Sequence, residues 1–158
     1  MEFKMVRAKR ELGREEALAL FASASNAVLS TVDPDGEPYG VPISFALEGG
    51  RIYLHGSMKG GHRLTNLGAG CRACITVVAQ DDVQPAEFTT RYASAMAFGR
   101  LRPAADDDEK RAGLMALLRK YAPGHMEAGI RYIAAALPKT SVTVLEIERV
   151  SGKSNVRG

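Results

Sequence analysis

The sequence predicts a β-rich α+β fold, in which a mostly antiparallel sheet or barrel carries helices at its periphery. Two turn signals, DPDG at residues 33–36 and GG at residues 49–50, separate three apolar runs that are typical of strands. Helical patterns interrupt the later strands only occasionally and do not alternate with them, as they would around a parallel sheet. The chain of 158 residues has the length of one domain, so residues 1–158 are expected to form a single domain.

The first half of the chain predicts a helix and then an antiparallel meander. The helix spans residues 14–25, with two glutamates in its first turn, where the helix dipole favours them. Its predicted apolar face consists of Leu18, Phe21 and Ala22. Three strands follow: AVLSTV (27–32), PYGVPISFALE (38–48) and RIYLHGS (51–57). Because Pro38 and Pro42 lack backbone donors, they predict that the middle strand is irregular or lies at a sheet edge near its start.

The second half of the chain predicts three further strands and three helices. The strands are CRACITVVAQ (71–80), RYASAMAFGRLRPA (91–104) and TSVTVLEIERV (140–150), and DDVQPAEFTT (81–90) is a loop between the first two. Gly99 is a candidate β-bulge. The predicted helices cover residues 64–67, 106–121 and 126–136. The helix over 106–121 begins with acidic residues and ends with basic ones, and its apolar face is formed by Leu114, Leu117, Leu118 and Tyr121.

The composition argues against nucleic-acid and membrane partners. The net charge of +3 comes from 21 basic and 18 acidic side chains that are scattered along the chain, and only 6% of the residues are aromatic. Nucleic-acid binders instead show a clustered basic stripe, often with stacking aromatics. No apolar run approaches the ~20 residues that span a bilayer, and the charged N-terminus lacks the apolar segment of a signal peptide. We therefore expect a cytoplasmic protein.

Cys71 and Cys74 form a C-x-x-C pattern, which can indicate zinc or redox chemistry. A zinc site needs further ligands, and a redox pair needs a helix N-terminus, which lowers the pKa of a thiol. Here the pair opens a predicted strand, in which positions i and i+3 point to opposite faces. We expect two small buried thiols with a structural role, and no metal site.

The stretch YLHGSMKGGHRL, residues 53–64, leads from a strand through a glycine-rich basic loop into a helix. Its spacing nearly matches a P-loop, but His62 and Arg63 stand where the phosphate-binding lysine and the magnesium-binding hydroxyl should be. Glycines before a helix start still favour an anion, to which Ser57, Lys59 and Arg63 would contribute one hydroxyl and two charges. From spacing alone, an anion site and a solvated turn remain equal alternatives.

Several short segments, spread over residues 10–155, form an ordered pattern. They are GEPYGVPISF (36–45), IYLHG (52–56), GHRL (61–64), RYASAMAFG (91–99), KTSV (139–142) and SGKSN (151–155). In order and spacing they resemble the pyridoxamine 5′-phosphate oxidase-like flavin-binding superfamily, and within it the nitroimidazole-resistance (Nim) type proteins. The resemblance implies an antiparallel split β-barrel, the FMN-binding split barrel, that forms a homodimer with FMN at each subunit interface.

The resemblance also implies which residues hold the cofactor. Along the flavin ring would lie the backbone of Pro42, Ile43 and Ser44. The cofactor would be lined by His55, Gly56 and Ser57. The phosphate would be held at the helix start by Gly61, His62 and Arg63. The partner subunit's fifth strand would contribute Ser94, Ala95 and Met96.

The activity implied by the resemblance is reduction of a small molecule, such as a nitroaromatic, with electrons that a reduced donor delivers to bound FMN. His55 is the candidate catalytic residue, as a proton donor or a substrate contact, although a histidine that packs on or hydrogen-bonds to the flavin is the more frequent role.

Two departures from the family pattern bear on the substrate. Arg63 stands where the family often has lysine, which preserves the charge. The chain has no tryptophan, whereas pyridoxamine-phosphate oxidases carry a tryptophan-containing C-terminus and further basic substrate residues. Pyridoxamine phosphate is therefore not the expected substrate. The alternatives are a member of the fold that uses F420 or haem, a non-enzymatic flavin-binding or sensing module, and a structural domain with an empty site.

Overall fold

The computed structural model describes residues 5–156 and confirms an antiparallel split β-barrel with peripheral helices. The elements, in chain order, are β1 Glu11–Leu12, α1 Arg14–Ser23, β2 Ala27–Val32, β3 Pro38–Ile43, β4 Phe45–Glu48, β5 Arg51–Ser57, α2 His62–Leu67, β6 Cys71–Gln84, β7 Thr89–Pro103, α3 Asp107–Tyr121, α4 Met126–Ala136 and β8 Thr140–Ser154. Within the same residues, no helix is long and apolar enough to cross a membrane.

The sheet follows the order β3-β2-β6-β7-β8-β5-β4, and β1 pairs with β8 beside this path. Its two edge strands, β3 and β4, are separated in the chain by Ser44 alone. Two residues of extended chain reach about 7 Å at most, so the sheet must curl until its edges meet. Because β3 and β4 do not pair with each other, the barrel is split along this seam.

The prediction of one strand over residues 38–48 is therefore wrong, because this segment forms two strands at opposite edges of the sheet. The first half pairs with β2, and the second half begins at Phe45 opposite Leu54. Alternation of polar and apolar residues indicates a strand but does not identify the strand it pairs with. The break at Ser44 therefore has no signal in the local sequence. The edge position predicted from Pro38 and Pro42 is confirmed, because β3 ends the sheet.

The predicted loop over residues 81–90 is also wrong, because it is mostly a continuation of two strands. β6 and β7 pair as far as Gln84 and Thr89. Only a short 3₁₀ turn separates them, and Phe88 has a left-handed backbone there with φ of 51°. Polar side chains and one proline indicated a loop, but in a projecting hairpin both faces are in solvent and polar residues remain compatible with pairing.

The predicted irregularity at Gly99 is present, but the extra residue lies in the neighbouring strand. Phe98 pairs with Arg149 and Gly99 pairs with Ile147, so Glu148 is the bulged residue of β8. A Cβ atom on residue 99 would lie 1.8 Å from the Glu146 carbonyl oxygen. Glycine is therefore required at the position of β7 that faces the bulge of β8.

Two apolar cores lie on the two sides of the curled sheet. The first fills the barrel, where Leu29, Leu54, Ile75 and Leu101 are fully buried, and α1 closes it. The second lies between the outer face of β4, β5 and β8 and the helices α3 and α4. The predicted apolar face of α1 is shifted, because Ala17 and Phe21 are buried whereas Ala22 is exposed.

The two cysteines are free and lie on opposite faces of β6, as the strand assignment predicts. Both are half-buried rather than buried, because Cys71 begins the strand and Cys74 points to the outer face of the sheet. Partial burial raises the pKa of both thiols, and this is opposite to the change that makes a cysteine reactive.

Candidate functional site

The glycine-rich loop connects the end of β5 to the start of α2 through a tight turn. The Ser57 hydroxyl accepts a hydrogen bond from the Lys59 backbone N–H at 3.1 Å. Gly60 and Gly61 follow with φ of 92° and 121°, a backbone conformation that residues with a Cβ rarely adopt. The Ser57 hydroxyl thus supports the turn, and Lys59 lies exposed at its tip.

The Arg63 side chain lies flat across the last residues of β5. Its Nη1 donates to the His55 carbonyl oxygen at 3.2 Å. A Cβ atom on residue 56 would lie 2.0 Å from Arg63 Nη2, so the guanidinium occupies the space that Gly56 leaves open. This contact accounts for the glycine in the sequence HGS.

Arg63 is half-buried, and no carboxylate of residues 5–156 lies within 4.0 Å of it. Burial lowers the pKa of its guanidinium below the ordinary value, although an arginine stays charged at any physiological pH. A desolvated cation without a counter-charge is costly unless an anion joins it. An anion bound at Arg63 would offset this cost.

The His55 side chain lies on the opposite face of β5 from Arg63. Leu54 and Gly56 face the barrel side, so His55 shares the outer face with Tyr53. There it borders a cavity of about 220 Å³ beneath the two long helices, which is otherwise lined by Leu114, Leu117, Leu118, Gly129, Tyr132, Ile133, Ala136 and Thr140. Partial burial, together with the Arg63 charge, lowers the pKa of His55, so its imidazole is neutral at neutral pH.

His62 is engaged with the β2–β3 hairpin. Its Nε2 lies 3.9 Å from Asp33 Oδ2, and its ring packs on Tyr39 with centroids 4.1 Å apart. Asp33 was predicted only as part of a turn and not as part of the site. The turn signal at residues 33–36 located this carboxylate but gave no indication that the hairpin folds back onto α2.

The segment Pro42–Ser44 runs along the barrel seam, close to the end of β5. Phe45 pairs with Leu54, so Ser44 and His55 flank the same pair of residues. The Tyr121 hydroxyl fixes this seam, since it accepts from the Phe45 N–H at 3.0 Å and donates to the Ser25 carbonyl at 2.8 Å. Tyr121 was predicted only as part of an apolar helix face.

We call the region formed by Pro42–Ser44, Gly56 and Arg63 the seam groove, because Ser44 lies beside the end of β5 and Arg63 covers Gly56. Ser141 of β8 supports it from behind, because its hydroxyl donates to the Gly56 carbonyl at 3.1 Å. Free backbone groups along the edge strand β3 and one cation at the end of β5 could hold a planar heterocycle that carries an anionic tail. Within the described residues, no group of three or more metal-binding side chains comes together.

The third predicted group, Ser94–Met96, lies elsewhere in the same protomer. Ala95 is buried in the barrel and pairs with Gly152, whereas His55 pairs with Val142, ten residues away along β8. Ser94 and Met96 point to the outer face of the sheet, where Met96 is 39% exposed. One protomer does not bring these residues to the seam groove.

An apolar area on the outer face of the sheet surrounds Met96. We call it the outer patch and define it as Val28, Val78, Met96 and Phe98, which lie on β2, β6 and β7. Val28 and Val78 are 41% and 60% exposed, and the Arg149 guanidinium lies 3.9 Å from the Phe98 ring centroid.

Known proteins resemble this chain in sequence and in fold. The sequence pattern of the pyridoxamine 5′-phosphate oxidase family matches residues 13–154. The FAD and heme binding protein from Mycobacterium smegmatis is 31% identical, with 92% of this chain and 73% of that chain covered and a TM-score of 0.78. Among curated proteins, none matches the sequence.

Two further solved structures share the fold. A protein named for 5-nitroimidazole antibiotic resistance, from Bacteroides thetaiotaomicron, is 24% identical over 90% of this chain and 85% of its own, with a TM-score of 0.78. The flavocytochrome Anf3 from Azotobacter vinelandii is 22% identical over 97% of this chain and 72% of its own, also with a TM-score of 0.78.

Proposed function

The chain belongs to the pyridoxamine 5′-phosphate oxidase family, and on this premise we propose that it binds a flavin in the seam groove and uses it to reduce a small molecule. The smallest ligand that suits the groove is FMN, whose ring would lie along Pro42–Ser44 and whose phosphate would meet Arg63. The observation that carries the proposal is the half-buried Arg63 guanidinium, which lies across Gly56 without a carboxylate partner.

The residues of the seam groove fit this cofactor in chemistry. Arginine binds phosphate through a planar set of donors, and burial beside the backbone of β5 orients Arg63 before a ligand arrives. The seam at Ser44 exposes backbone donors and acceptors, which suit the polar edge of a flavin ring. His62 is held by Asp33 and Tyr39 and would border the phosphate, whereas Lys59 would add an exposed charge.

A bound flavin would accept a hydride from a reduced donor and transfer two electrons to the substrate. The protein would orient the ring, exclude water from one of its faces and hold charge at the phosphate. His55 presents its backbone carbonyl to Arg63 and its neutral imidazole to the outer cavity. A role for His55 as proton donor therefore requires protonation of its imidazole and a substrate that approaches from the side of α3 and α4.

The substrate proposed is a small oxidant of the nitroaromatic class. This proposal is supported by the Nim-type pattern of the sequence, and the B. thetaiotaomicron protein shares the fold. The alternative function is that of a flavin-binding or sensing module without catalytic activity. It would bind flavin but show no oxidation of NADH or NADPH in the presence of any nitro compound.

Haem is the second candidate cofactor, because the M. smegmatis relative is described as binding FAD and heme. His55 beside an apolar cavity is chemically suited to coordinate iron. However, that cavity measures about 220 Å³, which is below the ~300–1,000 Å³ of common ligand sites. Haem would require α3 and α4 to separate, and the absorbance spectrum of the purified protein distinguishes haem from flavin and from F420.

We further propose that the protein is a homodimer in which the outer patch is covered by a second copy. The partner copy would then present Ser94 and Met96 near the seam groove, which one protomer leaves open on that side. Exposed valine and methionine side chains on neighbouring strands support this arrangement, since contiguous apolar patches commonly mark contact surfaces.

The decisive experiment compares FMN with riboflavin, which lacks the phosphate, by calorimetric titration of flavin-free protein. Arg63→Ala should weaken FMN binding about 10–100-fold, because a charge-assisted hydrogen bond contributes about 1.5–3 kcal/mol. Riboflavin binding should not change. Arg63→Lys should retain most of the FMN affinity, and Arg131→Ala, on an exposed helix face, serves as the charge-matched control. Unchanged FMN affinity in Arg63→Ala would show that the phosphate binds elsewhere.

A further inference from the structure

The cavity that His55 borders lies on the side of β5 that faces away from the seam groove. Tyr53 and His55 point to this side, toward α3 and α4, whereas Leu54 and Gly56 point into the barrel. The Arg63 guanidinium covers Gly56 on the barrel side. The strand therefore separates the cavity from the proposed flavin phosphate, and no residue of the seam groove lines the cavity.

The size of this cavity suits a molecule with a single ring. The cavity measures about 220 Å³, whereas an engineered protein cavity of about 150 Å³ binds benzene. Sites for drug-sized ligands and cofactors occupy about 300–1,000 Å³. The cavity is therefore too small for a flavin or a nucleotide, and it is large enough for a benzene ring with a small substituent.

The lining of the cavity favours a neutral occupant. Leu114, Leu117 and Ile133 form apolar walls, and no lining residue is Asp, Glu, Lys or Arg. Partial burial, with the nearby Arg63 charge, lowers the pKa of His55, so this side chain is also uncharged at neutral pH. An ion that entered would lose water without gaining a counter-charge, which is unfavourable.

One hydrogen-bonding group of the cavity has no protein partner. The His55 imidazole makes no hydrogen bond and no ion pair within residues 5–156, because it is the His55 carbonyl that contacts Arg63. The Thr140 hydroxyl, in contrast, donates to the Ala136 carbonyl at 2.9 Å. Tyr132 is 74% exposed and lies on the solvent side. The neutral imidazole therefore offers one nitrogen as an acceptor at the edge of an otherwise apolar space.

We propose that this cavity is a binding site for a small phenol, whose ring packs among the leucines of α3 and whose hydroxyl donates to the His55 imidazole. A phenol is neutral and has one ring, and its acidic hydroxyl is a stronger donor to an imidazole nitrogen than the hydroxyl of an alcohol. Toluene has nearly the same shape but cannot donate. The site does not depend on the flavin proposal, because it lies on the other face of β5.

The test is titration of the purified full-length protein with phenol and with toluene, first as isolated and then saturated with FMN. Calorimetry gives the affinities, and the ring-nitrogen resonances of His55 report the hydrogen bond. Phenol should bind in both states and shift the accepting nitrogen, which toluene should leave unshifted. His55→Leu should weaken phenol binding about fivefold relative to toluene, the contribution of one hydrogen bond.

A second variant tests the position of the site without a change at His55. Ala136→Leu enlarges a side chain that lines the cavity, and it should weaken both ligands at least about tenfold by filling the space. Residue 136 is only partly buried, at the end of α4, so the fold should tolerate leucine there. Ala135→Leu is the matched control, because residue 135 is exposed on the same helix and does not line the cavity.

The outcomes that contradict the phenol site leave the flavin proposal intact. They are the absence of phenol binding, an unchanged ratio of phenol to toluene affinity in His55→Leu, and wild-type affinities in Ala136→Leu. Loss of phenol binding on saturation with FMN would assign the cavity to the flavin site and would also overturn the proposal. Failure of FMN to bind would contradict the flavin proposal alone.

Discussion

At the scale of single residues, Gly56 determines where the positive charge of the site lies. Its missing Cβ leaves room for the Arg63 guanidinium, which then donates to the His55 carbonyl. Without this space, Arg63 would have to lie further out in solvent, where screening weakens its attraction for an anion. The absence of a Cβ atom at Gly56 thus allows the Arg63 guanidinium to be desolvated and oriented.

Gly56→Ala tests this dependence without a change of charge. The new methyl group would meet the end of the Arg63 side chain and not backbone, so the guanidinium can move aside and the fold should be retained with a small loss of stability. FMN affinity should fall about tenfold, as displacement of the guanidinium costs about one charge-assisted hydrogen bond. Gly124→Ala, where a Cβ has open space, is the control. Wild-type FMN affinity in Gly56→Ala would contradict the placement of the anion.

At the scale of elements, Arg102 connects α3 to the barrel through hydrogen-bonded ion pairs. Arg102 of β7 donates from Nη1 to Glu109 of α3 at 2.7 Å and from Nη2 to Glu146 of β8 at 2.9 Å. Glu109 also accepts from the Ala105 N–H at 2.7 Å. The hydrogen bond from Arg102 lowers the pKa of Glu109 to about 2. This junction fixes the first turn of α3 against β7 and β8.

The lowered pKa of Glu109 predicts acid sensitivity. Since the folded state holds this carboxyl deprotonated more strongly than the unfolded state does, its contribution to stability is complete above pH about 4.5 and is lost as pH falls toward 2. Solvent screening limits the loss to about 1–2 kcal/mol. Urea unfolding at several pH values should show that Glu109→Gln flattens this decline. Glu127→Gln, at a largely exposed ion pair, should leave it as in the wild type, and an equal decline in Glu109→Gln would refute the assignment.

Most elements could be predicted because their signals are local. The helix over 126–136 has its apolar periodicity in its own residues, and the strand over 51–57 is bounded by a glycine turn and a glycine loop. The hydrogen bonds of the Tyr121 hydroxyl, which hold the chain at the break near Ser44, join residues 76 and 96 positions apart. The glycine-rich loop between β5 and α2 was predicted from sequence, but the passage of Arg63 over Gly56 is a property of the folded backbone.

At the scale of the whole molecule, two neighbouring surfaces of the barrel differ in chemistry. The seam groove contains polar groups and the cation, whereas the outer patch exposes Val28, Val78 and Met96 on the outer face of β2, β6 and β7. The two surfaces adjoin, because Val28 pairs with Pro42. The segment Ser94–Met96 belongs to the family pattern but lies on the second surface. In the homodimer proposed above, each copy would complete the groove of the other with its own outer patch.

Val78→Glu tests the homodimer, since a charge in the centre of the outer patch cannot be buried without a partner. Sedimentation velocity should find two copies of the wild-type chain per particle and one copy of the variant. The variant should also bind FMN more weakly. Ile130→Glu, at an equally apolar and exposed position on α4, should remain dimeric. A monomeric wild-type protein, or a Val78→Glu protein that still dimerises, would contradict this arrangement.

The central claim is that this chain carries a flavin, and the most direct measurement is the identity of what the purified protein releases on denaturation. The extract, separated beside authentic FMN, FAD and F420, should contain FMN or FAD at about one molecule per chain. Release of F420 or haem would contradict the claim. A colourless protein that takes up neither FMN nor FAD on reconstitution would contradict it as well.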